Sequence, residues 1–197
     1  MAPAEVGAFF VGTRYLVLPM TTESASAFPT SMRTRIMTDR QVHRTLDRLA
    51  HEILERNRGA SNLAVVGILR AGAQVARELV LLINHIEGTR LESSNLDTSG
   101  FRDDKPQETP AHPDLPDLTD KDVILVDDVL FTGRTARAAL DAVVRSGRPR
   151  SIQLLVLIDR GHREYPIQPD YVGRVMPTKH RERVEVSTAD WSVDVVE

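Results

Sequence analysis

The sequence predicts an α/β fold, a mainly parallel twisted sheet with helices on both faces, and three observations predict it. Leu63–Val66, Val123–Val126 and Ile152–Ile158 are short, largely apolar runs rich in β-branched residues, the pattern of strands buried on both sides. Segments with apolar residues at helical spacing stand between and before them, so strands and helices alternate. Two adjacent carboxylates, Asp127 and Asp128, stand where the second run should end. In sheets of this kind, ligands bind in the crevice at the C-terminal ends of the strands.

Composition sets the limits. A chain of 197 residues with 41% hydrophobic content can bury one well-formed core. A formal net charge of −3 gives no global attraction to nucleic acid, so RNA binding would have to come from a local basic patch. The absence of cysteine excludes disulfides, thiolate catalysis and zinc–cysteine sites, and fits a reducing, cytoplasmic compartment. No apolar run approaches membrane-spanning length.

Taken in order, residues 1–35 form an N-terminal extension without a sustained period, read as poorly ordered or strand-like, or as an over-called start with translation beginning at Met32 or Met37. Arg14 interrupts its apolar run and no cationic segment precedes it, which argues against a signal peptide. The main domain is expected over residues 36–197. Thr38-Asp39-Arg40-Gln41 is a capping box, and Val42, Leu46, Leu49 and Ile53 follow at helical spacing, giving a first helix to about Arg56. Arg44, Arg48 and His51 share a stripe opposite that apolar face, which reads equally as a solvated surface.

After the strand at Leu63–Val66, residues 67–72 turn into an apolar helix expected from Ala73 to about Ile83. Their Gly-x-x-x-x-Gly spacing lacks the Lys-Ser/Thr of a P-loop, which removes an ATPase reading. Phe101–Asp120 is rich in proline and acid, and a connection this long inside a compact domain reads as a lid or a disordered segment. Ser146-Gly147-Arg148-Pro149 stops a helix expected over Ala136–Val144, and Asp159-Arg160-Gly161-His162-Arg163 leads from the strand after it into the crevice. Two short strands are expected between Val184 and Val196, with Trp191 at a turn or on the surface.

The centre is Val123 to Thr135. A buried strand leads to Asp127 and Asp128, and Thr132, Gly133 and Thr135 follow in a loop that opens a helix. Free backbone N–H groups and a positive helix end would therefore face whatever the acids hold. Two carboxylates suit the paired hydroxyls of a ribose, directly or through a hard cation, while the loop suits a phosphate on the same sugar. The implied ligand is a ribose 5-phosphate.

Asp127 to Thr135, with the strand before them, resemble the phosphoribosyl-pyrophosphate (PRPP) motif of type I phosphoribosyltransferases. Phe101-Arg102-Asp103-Asp104, Ser151-Ile152-Gln153-Leu154 and Asp159 to Glu164 extend the resemblance to the PyrR family, bacterial pyrimidine operon regulators that are also uracil phosphoribosyltransferases. It runs from about Ile36 to the C-terminus. It implies that uracil displaces pyrophosphate from PRPP to give UMP, with Asp127, Asp128 and Arg102 catalytic and Mg2+ carried by PRPP rather than by a protein-built metal site. Asp127, Asp128, Val129, Leu130, Phe131, Thr132, Gly133, Arg134 and Thr135 would bind PRPP, and Arg70, Ala71 and Gly72 the pyrophosphate. Arg160 and Val184 would lie near the nucleotide, the alternatives being an ion pair of Arg160 with Asp159 or Glu164 and a core role for Val184. Arg44, Arg48, His51 and Arg56 would contact a pyrimidine-operon leader mRNA, and the family implies a homodimer or higher homo-oligomer.

Three positions depart from relatives. Arg70-Ala71-Gly72 replaces the family's usual Thr-Arg-Gly, Asp47 replaces a threonine of the RNA-binding helix, and Phe131 stands where hypoxanthine-guanine enzymes carry a proton-handling aspartate. A regulator with little or no catalysis, or an enzyme for another base, are the alternatives.

Overall fold

The computed structural model describes residues 32–101 and 113–197. Arg102 and the Asp103-Asp104 pair of the expected lid lie outside the described residues, as does most of the N-terminal extension. The chain runs β1 (Arg33–Met37), α1 (Asp39–Asn57), β2 (Leu63–Ile68), α2 (Ala71–Glu87), β3 (Ser93–Leu96), β4 (Asp122–Leu130), α3 (Arg134–Arg145), β5 (Ser151–Asp159), β6 (Tyr171–Val175), β7 (Arg183–Ser187) and β8 (Ser192–Val196), with one 3-10 turn at Ser99–Phe101.

Five strands form a parallel sheet in the order β3-β2-β4-β5-β6. The direction of strand order reverses between β2 and β4, so the crevice opens at their C-terminal ends. Val123, Ile124, Leu125 and Val126 of β4 are all 0% exposed, and α1 and α2 pack on one face while α3 covers the other. Each such side chain contributes about 1.5–3 kcal/mol on burial, which makes β4 the rigid spine of the molecule. A second sheet, β1-β8-β7, is antiparallel. It joins the strand at Arg33–Met37 to the C-terminal hairpin, a pairing between chain ends that no local period could announce.

The helices start where their chemistry allows. Gln41 Oε1 accepts the Thr38 N–H at 2.9 Å, fixing the first turn of α1, and its buried stripe is Val42, Leu46, Leu49, Ala50, Ile53 and Leu54. Helix α2 begins at Ala71 rather than Ala73, and β2 runs on through Gly67 and Ile68. Only a glycine fits at position 67, because a Cβ there would lie 2.6 Å from Ala73 Cα. Helix α3 begins at Arg134, two residues before the expected start, because Gly133 at φ 89° reverses the chain tightly enough for the next residue to be helical.

The end of the expected lid is not free. Leu118 is 1% exposed, its N–H donates to Ser146 O at 3.0 Å, and the Asp120 N–H donates to Arg148 O at 3.0 Å. Residues 118–120 are thus docked beside the end of α3. Trp191 sits in the β7–β8 turn at φ 47°, its ring edge against His43 at 5.5 Å.

Candidate active site

Asp127 and Asp128 do not end their strand; β4 continues to Leu130. Pairing with β2 stops at Gly67 opposite Val126, so from Asp127 onward β4 is paired only with β5. The packing partners also change there. Ile124, Val126 and Val129 pack with the α1–α2 layer, whereas Val123, Leu125 and Leu130 pack with the α3 layer. β4 keeps an unbroken register with β5 from Asp122 to Leu130, so what changes past the two acids is the packing partner of each side chain and not the strand pairing.

Asp127 is buried and Asp128 half-buried. The Asp128 N–H donates to Asp127 Oδ1 at 3.0 Å. Burial, with the neighbouring charge of Asp128, pushes the Asp127 carboxyl well above its ordinary range. The first turn of α2 lies directly on it: a Cβ on Gly72 would come within 2.8 Å of Val126 O and 3.0 Å of Asp127 Cα. Gly72 is therefore the residue that lets the positive end of α2 approach the buried acid.

The loop after β4 is held from behind. Leu130 O accepts the Arg160 N–H at 3.1 Å, and Thr132 O accepts the N–H groups of Glu164 at 2.9 Å and Tyr165 at 3.0 Å. Phe131 O accepts Arg163 Nη1 at 3.0 Å. Arg134 bonds Glu164 through Nε at 2.8 Å and lies over the Tyr165 ring, while Gly133 packs on Tyr165 and Ile167. Three successive carbonyls thus turn toward residues 160–165. Among the described residues, the N–H groups of Thr132, Gly133 and Thr135 have no acceptor. A cavity of about 200 Å³, lined by Asp127 and residues 129–136, lies at this loop. It matches an anion held by backbone amides at a helix start.

Arg70 stands immediately before α2 and pairs with no acid among the described residues; Ala71 and Gly72 form the first turn. The Leu69–Arg70 peptide is cis. Arg160 is buried, and its expected acidic partners are taken by others: Asp159 by Arg163 at 2.6 Å and Glu164 by Arg134 at 2.8 Å. Arg160 instead donates to Thr178 Oγ1 at 2.9 Å and Lys179 O at 3.1 Å, with its guanidinium 4.1 Å from the Phe131 ring centre. Burial lowers its pKa, and the charge of Glu182 opposes that. His162 and His180 complete a ring cluster with Phe131, at 5.8 and 5.5 Å. Val184 is half-buried on β7, against the α1–α2 core layer. No group of three or more His, Asp or Glu among the described residues is arranged to hold a metal ion.

Residues 33–188 match the phosphoribosyl transferase domain. The chain is 49% identical over 167 residues to the bifunctional protein PyrR of Brevibacillus brevis, covering 82% of this chain and 92% of that protein. It is 45% identical over 161 residues to the PyrR of Clostridioides difficile, covering 79% and 90%. The chain belongs to the PyrR family. Solved hypoxanthine phosphoribosyltransferases share the fold: that of Trypanosoma cruzi at TM-score 0.66 and 16% identity, covering 83% of this chain and 96% of that one, and that of Staphylococcus aureus at 0.66 and 21%, covering 83% and 92%. The parallel sheet flanked by helices is thus that of the phosphoribosyltransferases.

The stripe on α1 that the PyrR resemblance marks for RNA has a mixed character. Arg44, Arg48, His51 and Arg56 are all exposed. Arg48 bonds Glu52 at 3.2 Å and the carbonyls of Val172 and Gly173 at 3.0 Å each, and Arg56 pairs with Asp170 at 2.8 Å and lies over Tyr171. His51 Nδ1 bonds Asp47 O at 2.9 Å, and only Arg44 of the four has no partner among the described residues. Arg163, within the Asp159–Glu164 run that resembles PyrR, was not among the expected site residues. The signal available was its place in a charged run directly after a buried strand.

Proposed function

We propose that this chain transfers the phosphoribosyl group of PRPP to uracil, giving UMP and pyrophosphate, and that it also binds a pyrimidine-operon leader mRNA in response to nucleotide. The observation that carries the enzymatic role is the pairing of a buried acid, Asp127, with a loop whose Leu130, Phe131 and Thr132 carbonyls are anchored on residues 160–165, leaving the Thr132 and Gly133 amides without an acceptor among the described residues. Asp127 and Asp128 hold the ribose hydroxyls beside the carbon where positive charge develops. Residues 129–135 hold the 5′-phosphate. Arg70, with Ala71 and Gly72 at the start of α2, takes the negative charge that grows on the departing diphosphate. Arg102 closes over that diphosphate, and Arg160 with Val184 borders the base.

Bound with the diphosphate, Mg2+ would supply neutralising charge there, and Asp127 and Asp128 are the carboxylates that would meet it. Phe131, which lies against Arg160, carries no proton-transfer group, which argues against hypoxanthine and guanine, and the choice of uracil rests on membership of the PyrR family. The phosphoribosyltransferase domain spans 36–197, extended by the β1 residues Arg33–Arg35, and the working form is a homodimer or larger homo-oligomer in the cytoplasm. Among the described residues no helix is long and apolar enough to cross a membrane.

The test is product formation from PRPP and Mg2+ with uracil, orotate, adenine, hypoxanthine and guanine offered separately. UMP from uracil alone is expected; turnover of another base in its place overturns the assignment. For the regulatory role, leader-RNA binding should weaken steeply as salt rises, because Arg44, Arg48, His51 and Arg56 would replace counterions at phosphates. Absent or salt-insensitive binding leaves the enzyme alone.

A further inference from the structure

We infer that Arg163 is a positioning residue that aims the amides of the phosphate loop, an assignment resting on the reading of residues 129–135 as the loop that holds the 5′-phosphate. Its side chain is 15% exposed and contacts three separate stretches of chain. Nη2 pairs with Asp159 Oδ2 at 2.6 Å, Nε donates to Ile167 O at 3.0 Å, and Nη1 donates to Phe131 O at 3.0 Å and Gly161 O at 3.3 Å. A simple ion pair would use one edge of the guanidinium. Here the other nitrogens are spent on carbonyls, and the only one of those in the phosphate loop belongs to Phe131.

The consequence follows from peptide geometry. In a planar trans peptide the C=O and the following N–H point in opposite directions. Anchoring Phe131 O on Arg163 therefore aims the Thr132 N–H away from residues 160–165, and anchoring Thr132 O on the Glu164 and Tyr165 amides does the same for the Gly133 N–H. Those are two of the amides that lack an acceptor. The second anchor is backbone and survives any side-chain change; the first depends on Arg163 alone. Asp159 fixes the guanidinium from the end of β5, and its other oxygen accepts the Gly161 N–H at 3.0 Å, so the positioning group is itself held by the sheet. Without Arg163, the Phe131–Thr132 peptide would be free to rotate and present its carbonyl to the phosphate, replacing attraction by repulsion.

The experiment measures the affinity of the full-length protein for PRPP with Mg2+ and no base, and separately for pyrophosphate, by calorimetry in the parent, Arg163→Gln and Arg163→Lys. Lysine keeps the charge against Asp159 but lacks the planar fork. Both variants should bind PRPP more weakly, Arg163→Gln by about 10- to 100-fold, the scale of loss from small misplacements of a binding group, with pyrophosphate affinity unchanged. A purely structural role would lower the bound stoichiometry for both ligands at unchanged affinity. That result, an equal weakening toward both ligands, unchanged PRPP affinity, or failure of both variants to fold overturns the inference. A parent that binds pyrophosphate but not PRPP removes the loop assignment beneath it and so overturns it too. A parent that binds PRPP yet makes no UMP from uracil sinks the proposed reaction, while the affinities still decide the role of Arg163.

Discussion

Two turns face the crevice, and they are built in opposite ways. The turn after β4 has its carbonyls anchored at Leu130, Phe131 and Thr132 by residues 160–165, and its arginine, Arg134, is fixed to Glu164 and Tyr165. The turn after β2 is tied to the neighbouring strand by an amide instead, the Leu69 N–H donating to Leu96 O at 2.9 Å, and its arginine, Arg70, pairs with no described acid. The first suits a group that stays on the protein through the reaction, the phosphate of the sugar. The second suits a group that must be gripped and then released, the diphosphate. Rigid amides lower the cost of binding, whereas an unattached arginine can follow a leaving group.

The acids between the turns should be the most sensitive point. Asp128→Asn is expected to lower kcat by about 10²–10³-fold, the loss typical of one preorganised electrostatic group, while the far-ultraviolet circular dichroism stays that of the parent. Near-normal turnover would remove the ribose clamp and leave the two turns as separate anion sites.

Gly72→Ala tests how closely the second turn must approach the first. Alanine in a helix normally stabilises by about 1 kcal/mol relative to glycine. Here the added Cβ would lie 2.8 Å from Val126 O and 3.0 Å from Asp127 Cα, both backbone atoms that cannot swing aside. The sign should therefore reverse, with a lower Tm and a KM for PRPP raised about tenfold or more by the displaced helix end. A more stable variant with normal KM would show that α2 does not need to touch β4.

A smaller, cleaner effect is expected from Arg70→Ala. The side chain has no acidic partner to lose, so Tm should stay within about 1–2 °C of the parent, in line with surface substitutions. Pyrophosphate and PRPP affinity should fall about tenfold or more, the lower end of what a charge-assisted bond contributes. Loss of stability without loss of affinity would assign Arg70 to the fold and erase the contrast between the turns.

Much of this was legible in the sequence because the determinants are local. The runs at Val123–Val126 and Ile152–Ile158 and the capping box at Thr38–Gln41 specify β4, β5 and α1 from within a few residues. What was not legible is long-range. The strand Ser93–Leu96 has no apolar period, and exists because β2 offers it an edge. The strand Arg33–Met37 pairs with residues more than 150 positions away. The change of packing partners past Asp127–Asp128 depends on what lies on each face of β4, which no one-dimensional pattern encodes. Arg160 is the sharpest case: its neighbours in sequence, Asp159 and Glu164, suggest an ion pair, yet both acids face other arginines and Arg160 turns to Phe131.

The most modest effect is one of stability, and its direction separates the buried acid from its exposed surroundings. The folded protein holds Asp127 protonated to a higher pH than the unfolded chain does, chiefly because burial disfavours the carboxylate. Below the ordinary carboxyl range the two states carry the same proton. As pH rises through and above that range the unfolded chain ionises first, so this residue's contribution to stability declines until the folded carboxyl also titrates. Asp127→Asn removes the titrating group and keeps a polar side chain of similar size. In ligand-free protein, its Tm should match the parent's at low pH and exceed it increasingly toward neutrality, by about 2–4 °C for each kcal/mol relieved in a chain of this size. The same variant should lose turnover, since an amide cannot replace a carboxylate on the ribose. A Tm difference that is flat with pH would mean that Asp127 ionises as readily in the folded protein as in the unfolded chain.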